Sequence, residues 1–190
     1  MSTHAPPGHQ TLLYHAPLPT PLGEAHLLGT ARGLVAIALP DESYAAARAL
    51  LGRRLGPFAI EEARAPLAAA LDQLAAYFAG TRRAFDVPLD LRGTPFQQAV
   101  WRAVLAIPYG ETRHYGAIAA TIGRPAAARA VGAANAANPL APLIPCHRLV
   151  GTDGALRGHR SGLAAKRWLL AHERRCLTPG ARDPRDTIAP

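Results

Sequence analysis

The run Asn138 to Val150, NPLAPLIPCHRLV, constrains this chain more than any other stretch. Pro139, Pro142 and Pro145 each fix φ and remove a backbone donor, so no regular helix can pass through. The residues between them are too apolar for a surface loop, and the segment is predicted to be buried, stiffened and extended. Cys146 ends it, with His147 beside it. A free thiol has a pKa of about 8.5 and is only a few per cent thiolate at neutral pH, so a reactive cysteine needs a neighbouring base. Adjacent side chains on an extended strand point to opposite faces. His147 can therefore serve Cys146 only through a local turn or a bridging water, and another group must orient its ring.

Glu173 is the candidate for that group. The spacing predicts a helix from Gly162 to about Glu173, with Leu163, Trp168, Leu169 and Leu170 as apolar positions and Glu173 near the same side. A carboxylate there needs a partner, and spacing leaves open whether that is a cation, Lys166 or Arg174, or an imidazole N–H.

With 190 residues, 49% hydrophobic and 18% charged, the chain can bury one sizeable core or two small ones, which excludes wholesale disorder. Its longest apolar runs fall far short of the roughly 20 residues that span a bilayer, and no secretion-type segment opens it. A soluble cytoplasmic protein without a membrane partner is expected. Cys146 and Cys176 make neither a disulfide framework nor a clustered zinc site, so neither metal nor cofactor is expected. Through Leu91 seven Arg face eight acids. From Arg92 onward thirteen Arg and one Lys face five acids, a net of +9. A neutral half joined to a basic one fits a nucleic-acid partner, and equally an Arg-rich solvated face.

Residues 1–10 and 177–190 read as flexible ends. Short apolar runs at Thr11–Tyr14, Ala25–Leu28 and Leu34–Leu39, broken by Pro and Gly, predict a small antiparallel sheet. Asp41 is placed to cap a helix through about Leu51. Pro66 is placed to open a second helix that Gly80 ends, and Phe85–Leu89 reads as a short strand. The boundary falls at Leu91–Gly93, dividing a sheet-plus-helix domain, 11–91, from a mostly helical one, 92–176.

In the second half Thr94 and Pro95 start a helix whose apolar stripe includes Trp101, read as core. Thr112 is placed to cap a helix ending at Gly123, and Pro125 to open another to about Asn135, which matches helix-turn-helix spacing. The second of these presents almost only alanines around Arg129. Such a face lacks the long forks that read major-groove base edges. It suits close approach to a minor groove, with Arg129 alone reaching the base stack, but tight packing in a core is the commoner use of such a helix.

Five blocks in order, GTPFQQAVW (93–101), IPYGE (107–111), RAVGAANAAN (129–138), PCHR (145–148) and KRWLLAHE (166–173), closely resemble the O6-alkylguanine-DNA alkyltransferases, or methylated-DNA-protein-cysteine methyltransferases. The likeness covers about 80 residues of the second half. The first half resembles that family's ribonuclease-H-like N-terminal domain only in general pattern. The resemblance implies an α+β fold: a small ribonuclease-H-like domain followed by a mostly helical, winged-helix-like domain with a helix-turn-helix.

It implies that Cys146 accepts the alkyl group irreversibly, one lesion per molecule, with His147 as base through a water, Glu173 orienting His147 and Asn138 bracing the turn before the cysteine. Tyr115 would help turn the nucleotide out and protonate the leaving purine, while Arg129 fills the vacated space. Ala127, Arg124 and Asn135 would lie against DNA, and Leu149, His159 and Arg160 about the base. The partner would be duplex DNA carrying O6-alkylguanine, with O4-alkylthymine a further lesion, bound by a monomer.

Two departures stand out. Gly158 to Leu163, GHRSGL, replaces the family's Gly-Tyr-x-Gly-Gly-Leu type of loop, and the first half lacks the cysteines with which some relatives bind zinc. Two rival readings are a non-catalytic alkyltransferase-like lesion binder, which carries Trp at the acceptor position, and a Cys-His hydrolase.

Overall fold

The computed structural model describes residues 10–40 and 44–177. β1 (Thr11–Thr20), β2 (Gly23–Thr30) and β3 (Gly33–Ala38) run antiparallel. α1 (Tyr44–Leu55) then returns the chain to β4 (Phe58–Glu62), which pairs parallel with the other edge of β1, giving the order β3-β2-β1-β4. The sheet is thus mixed rather than antiparallel. Its fourth strand escaped the sequence reading because FAIEE is only half-buried and carries two exposed glutamates. Both faces are covered, so neighbours such as Leu27 and Leu28 are both buried, in different core clusters. Asp41, expected to cap α1, and the expected flexible ends, apart from Gln10 and Leu177, lie outside the described residues.

A 3₁₀ turn at Ala65–Leu67, containing Pro66, leads into α2 (Ala68–Phe78), which closes at Gly80 with φ +78°. Residues 85–89 do not form the expected strand. Their one β-bridge joins Leu89 to Leu34, with Leu34 N–H donating to Pro88 O at 2.9 Å and Asp90 N–H to Leu34 O at 2.8 Å. Pro88 has no N–H of its own, so the ladder cannot extend.

In the second half α3 (Pro95–Leu105) starts at Thr94 with a capping box: Thr94 accepts from Gln97 N–H and the Gln97 side chain accepts from Thr94 N–H. Thr112 does not cap the next helix. Arg113–His114 (β5) pair parallel with Leu149–Val150 (β6), which holds them extended and delays α4 to Tyr115–Thr121. A 3₁₀ turn at Pro125–Ala127 precedes α5 (Ala128–Ala136). α6 spans Gly162–Leu177, one turn beyond the expected end, so Leu177 belongs to the helix rather than to a tail.

Residues 138–150 are buried throughout but are not extended. Ile144 N–H donates to Leu140 O, Cys146 N–H to Ile144 O, and Cys146–Arg148 form a 3₁₀ turn. Prolines deprive the segment of donors, and Asn138 supplies both halves of the missing pairing: Nδ2 donates to Ile144 O at 2.8 Å and Oδ1 accepts from Leu140 N–H at 3.0 Å.

One hydrophobic cluster runs through both halves, from Leu27, Leu71 and Tyr77 to Trp101, Leu140 and Leu169. Hydrogen bonds cross the same seam, among them Ile37 N–H to Pro139 O at 2.8 Å and Arg54 Nη2 to Ala137 O at 3.0 Å. Among the described residues no helix is long and apolar enough to cross a membrane.

Gly33 is where the passage of residues 85–90 beside the sheet is decided. Its φ is +139°, and a Cβ there would overlap the backbone carbonyl of Pro88. Gly33→Ala is therefore expected to destabilise the protein by about 1–3 kcal/mol in urea titration, since backbone rather than a pliable side chain must move.

Candidate active site

Cys146 opens the 3₁₀ turn and is 1% exposed. Its carbonyl accepts from Asn135 Nδ2 at 3.2 Å and from the N–H of Leu149. Burial raises the thiol to about 11, opposed only in part by the Asn138 side chain and the Lys166 charge. At neutral pH the sulfur is therefore held as a thiol. The nearest imidazole nitrogen is not on the adjacent histidine: Cys146 Sγ lies 3.3 Å from His159 Nε2.

His147 faces the other way, into a fully buried polar cluster, with Nε2 2.7 Å from Glu173 Oε1. Glu173 is wholly buried, as is the imidazole. Its carboxylate also accepts from Tyr77 Oη at 2.9 Å, from Gly110 N–H at 2.8 Å, and from the Arg148 guanidinium through Nε and Nη2, each at 2.9 Å. Burial alone would push this carboxyl up. The hydrogen bond from His147, and the hydrogen bonds and charge of Arg148, outweigh it and hold the group well below the usual carboxylate range.

The ionised carboxylate fixes the tautomer of its neighbour. Glu173 can only accept, so His147 carries its hydrogen on Nε2 and presents a lone pair at Nδ1. That Nδ1 is buried and makes no hydrogen bond among the described residues. Desolvation lowers the His147 pKa despite the carboxylate, keeping the resting ring neutral. The question left open by spacing is thus answered: Glu173 takes both an imidazole and a cation, and the cation is Arg148 rather than Lys166 or Arg174.

Lys166 is buried too, and burial lowers it to about 8. It donates to Leu149 O and to Arg157 O, and Nζ lies 3.4 Å from Tyr115 Oη. Tyr115, the first residue of α4, donates to Arg157 O at 3.0 Å, and burial raises its pKa so that it stays a phenol. These contacts pin the loop before α6 over a groove of about 440 Å³ whose walls include Tyr115, Arg129, Gly132, Thr152 and Gly158. Arg129 is exposed at this rim, and Arg124 is exposed at the start of the alanine-rich turn and helix that carry Ala127.

Family models for the 6-O-methylguanine DNA methyltransferase ribonuclease-like domain and DNA binding domain match residues 13–91 and 95–175. A methylated-DNA-protein-cysteine methyltransferase of Mycobacterium tuberculosis is 45% identical over 163 residues, 86% of this chain and 93% of the relative. The chain belongs to the methylated-DNA-protein-cysteine methyltransferase family. The crystal structure of M. tuberculosis O6-methylguanine methyltransferase superposes with a TM-score of 0.75 at 43% identity, covering 88% of this chain and 96% of that one. M. tuberculosis OGT in complex with DNA gives 0.74, again at 43% identity, with 86% and 94% covered.

Within this family member several expected positions are at least half-buried. Asn135 does not reach the surface: it is 1% exposed and turned inward to the Cys146 carbonyl. Leu149 is fully buried and both its backbone groups are occupied, the N–H by Cys146 O and the carbonyl by Lys166. His159 sits on the sulfur rather than in the groove wall. Arg160 is half-buried, close enough to Arg54 to contribute to lowering that guanidinium to about 10, after burial. Sequence reasoning missed Arg148 and Tyr77. A charged side chain inside an otherwise apolar buried run was the available signal for the first, since it demands a buried counter-charge.

Glu173→Ala leaves Arg148 without its counter-charge and is expected to cost about 3–5 kcal/mol of stability, read by urea unfolding. The wild type carries an acid signature as well. His147 resists protonation when folded but not when unfolded, so stability declines as pH falls below about 6.5; Glu173, depressed when folded, adds a further decline below about 4.5. In Glu173→Gln the lower-pH part of that decline is expected to shrink.

Proposed function

We propose that this chain is a single-use DNA repair protein that takes O6-alkylguanine from duplex DNA and moves the alkyl group to Cys146 Sγ. The observation that carries this reading is the buried sequence of thiol, neutral imidazole and ionised carboxylate in Cys146, His147 and Glu173, beside a groove rimmed by Arg129. Family membership and the DNA complex of a close structural relative support it.

The alkyl carbon on guanine O6 lies inside the duplex, so the nucleotide must first turn out, at a cost of a few kcal/mol that is smaller for a poorly paired lesion. Arg129 fills the space left behind, and the small residues of α5 let backbone approach the minor groove without reading sequence. The Sγ proton passes through a bridging water to His147 Nδ1, and the imidazolium formed is stabilised by Glu173. Thiolate then displaces guanine in line: an S–C bond forms, the C–O6 bond breaks, and the electron pair leaves with the purine. Tyr115 gives a proton to the purine ring, and the Lys166 ammonium beside it supports the phenolate. The product is a thioether, which nothing in the cluster can cleave. O4-alkylthymine offers the same alkyl–oxygen bond to the same thiol. The protein would work as a monomer in the cytoplasm.

Incubated with O6-methylguanine DNA and weighed, the protein is expected to gain one methyl per chain on Cys146 and none in Cys146→Ala. Unchanged mass would leave a lesion binder, and repeated product release from one equivalent would mark a hydrolase. Arg129→Ala is expected to slow reaction with duplex substrate by about tenfold, or 1.4 kcal/mol, while reaction with free O6-methylguanine stays near the wild-type rate. Equal losses on both substrates would remove its role in the stack.

A further inference from the structure

Cys146 Sγ is nearly inaccessible, and the group lying on it is His159, with Nε2 3.3 Å away. The groove wall ends at Gly158, the residue before His159, so the ring that covers the sulfur follows directly on the groove's edge. A reacting carbon must come within about 3–3.5 Å of the nucleophile, a distance His159 Nε2 now occupies. We propose that His159 is a specificity-determining residue, a plug that withholds the thiol from small electrophiles until a purine entering from the groove displaces the ring. This rests on the alkyl-transfer reading above.

The local chemistry supports a plug rather than a second base. Burial, with His147 and Lys166 nearby, lowers His159 to about 3, so its ring is neutral and accepts the S–H hydrogen bond without drawing the proton away. The thiol, raised to about 11, is kept in its unreactive form by the same burial. His159 is held loosely on its other side: Nδ1, which carries the hydrogen when Nε2 accepts, is buried with no well-formed hydrogen bond among the described residues, the backbone of Gly162 lying near enough only to oppose the lowering of its pKa. A purine edge offering an acceptor would satisfy that N–H once the ring swings out. The loop has a fixed point to swing from, because Arg157 O is held by both Tyr115 and Lys166, and Gly158, the next residue, has φ +30°.

The test compares iodoacetamide, in which Sγ displaces iodide to form an S–C bond, with methyl transfer from O6-methylguanine DNA. It uses the full chain and the variants His159→Ala and His159→Gln. In His159→Ala the ratio of iodoacetamide rate to DNA transfer rate is expected to rise about tenfold or more, as an opening step is removed. The apparent thiol pKa in the pH–rate profile is expected to move down from about 11 as water reaches the sulfur. His159→Gln keeps bulk and an acceptor near Sγ and is expected to restore the wild-type ratio. An unchanged or lower ratio in His159→Ala at an unaltered thermal midpoint overturns the proposal, a slower alkylation marking His159 as a base. If His159→Ala fails to fold, a raised ratio in His159→Gln overturns it too. Failure of the wild type to take methyl from DNA would instead sink the transfer reading, while its alkylation profile, compared between variants, would still report the plug.

Discussion

The carboxylate of Glu173 holds this molecule's site together. Isolated in a low-dielectric interior it would be too costly to keep charged, and four groups from different parts of the chain make it affordable: His147, Arg148, the Gly110 N–H and Tyr77. Tyr77 lies on α2, in the half that carries none of the proposed chemistry. The N-terminal domain therefore does more than cover one side of the other. It donates a hydrogen bond to the group that sets the tautomer of the proposed base, and through Ile37 N–H and Arg54 it also grips Pro139 and Ala137 on either side of Asn138.

That arrangement leaves the thiol and its proposed base both neutral at rest. Burial drives the thiol up and the imidazole down, so the proton transfer between them is uphill until substrate changes their surroundings. For the single-use transfer proposed above this has a use. A standing thiolate would be spent on any passing electrophile, whereas a thiol that ionises only beside an extruded base reserves its single equivalent for DNA. His159 at the sulfur acts in the same direction by geometry.

Much of the site was legible in the sequence because its parts are contiguous or fall on one helix period: Cys146 beside His147, Asn138 before the prolines, Glu173 on the apolar side of α6. Contacts set by tertiary approach were not. Arg148 follows His147 directly, yet only the 3₁₀ turn tells which carboxylate it meets. The extended segment expected at 138–150 became a chain of turns because the Asn138 side chain supplies hydrogen bonds the prolines lack, a local competition that periodicity does not register. Likewise Asn135 falls at the end of the alanine helix, where spacing permits either face, and the structure turns it inward to donate to the buried Cys146 carbonyl. β4 was invisible since its burial comes from α1 and β1 rather than from its own pattern.

The charge asymmetry between the halves needs the same discrimination. The second half is strongly basic by count, but several of its cations are engaged inside the protein: Arg148 with Glu173, Lys166 with backbone carbonyls, Arg92 with Asp90. Arg157 at the groove is paired with Asp153. Counterion release scales with phosphates neutralised, about 0.9 in the salt slope for each, and not with formal charge. The pairs Arg148–Glu173 and Arg157–Asp153 are already cancelled in the net of +9, so the footprint offered to a polyanion is set by which cations are exposed, Arg124 and Arg129 around the alanine helix among them. An alanine helix with few long side chains offers little sequence discrimination, and under the base extrusion proposed above it leaves discrimination to the base that turns out far enough to reach the sulfur.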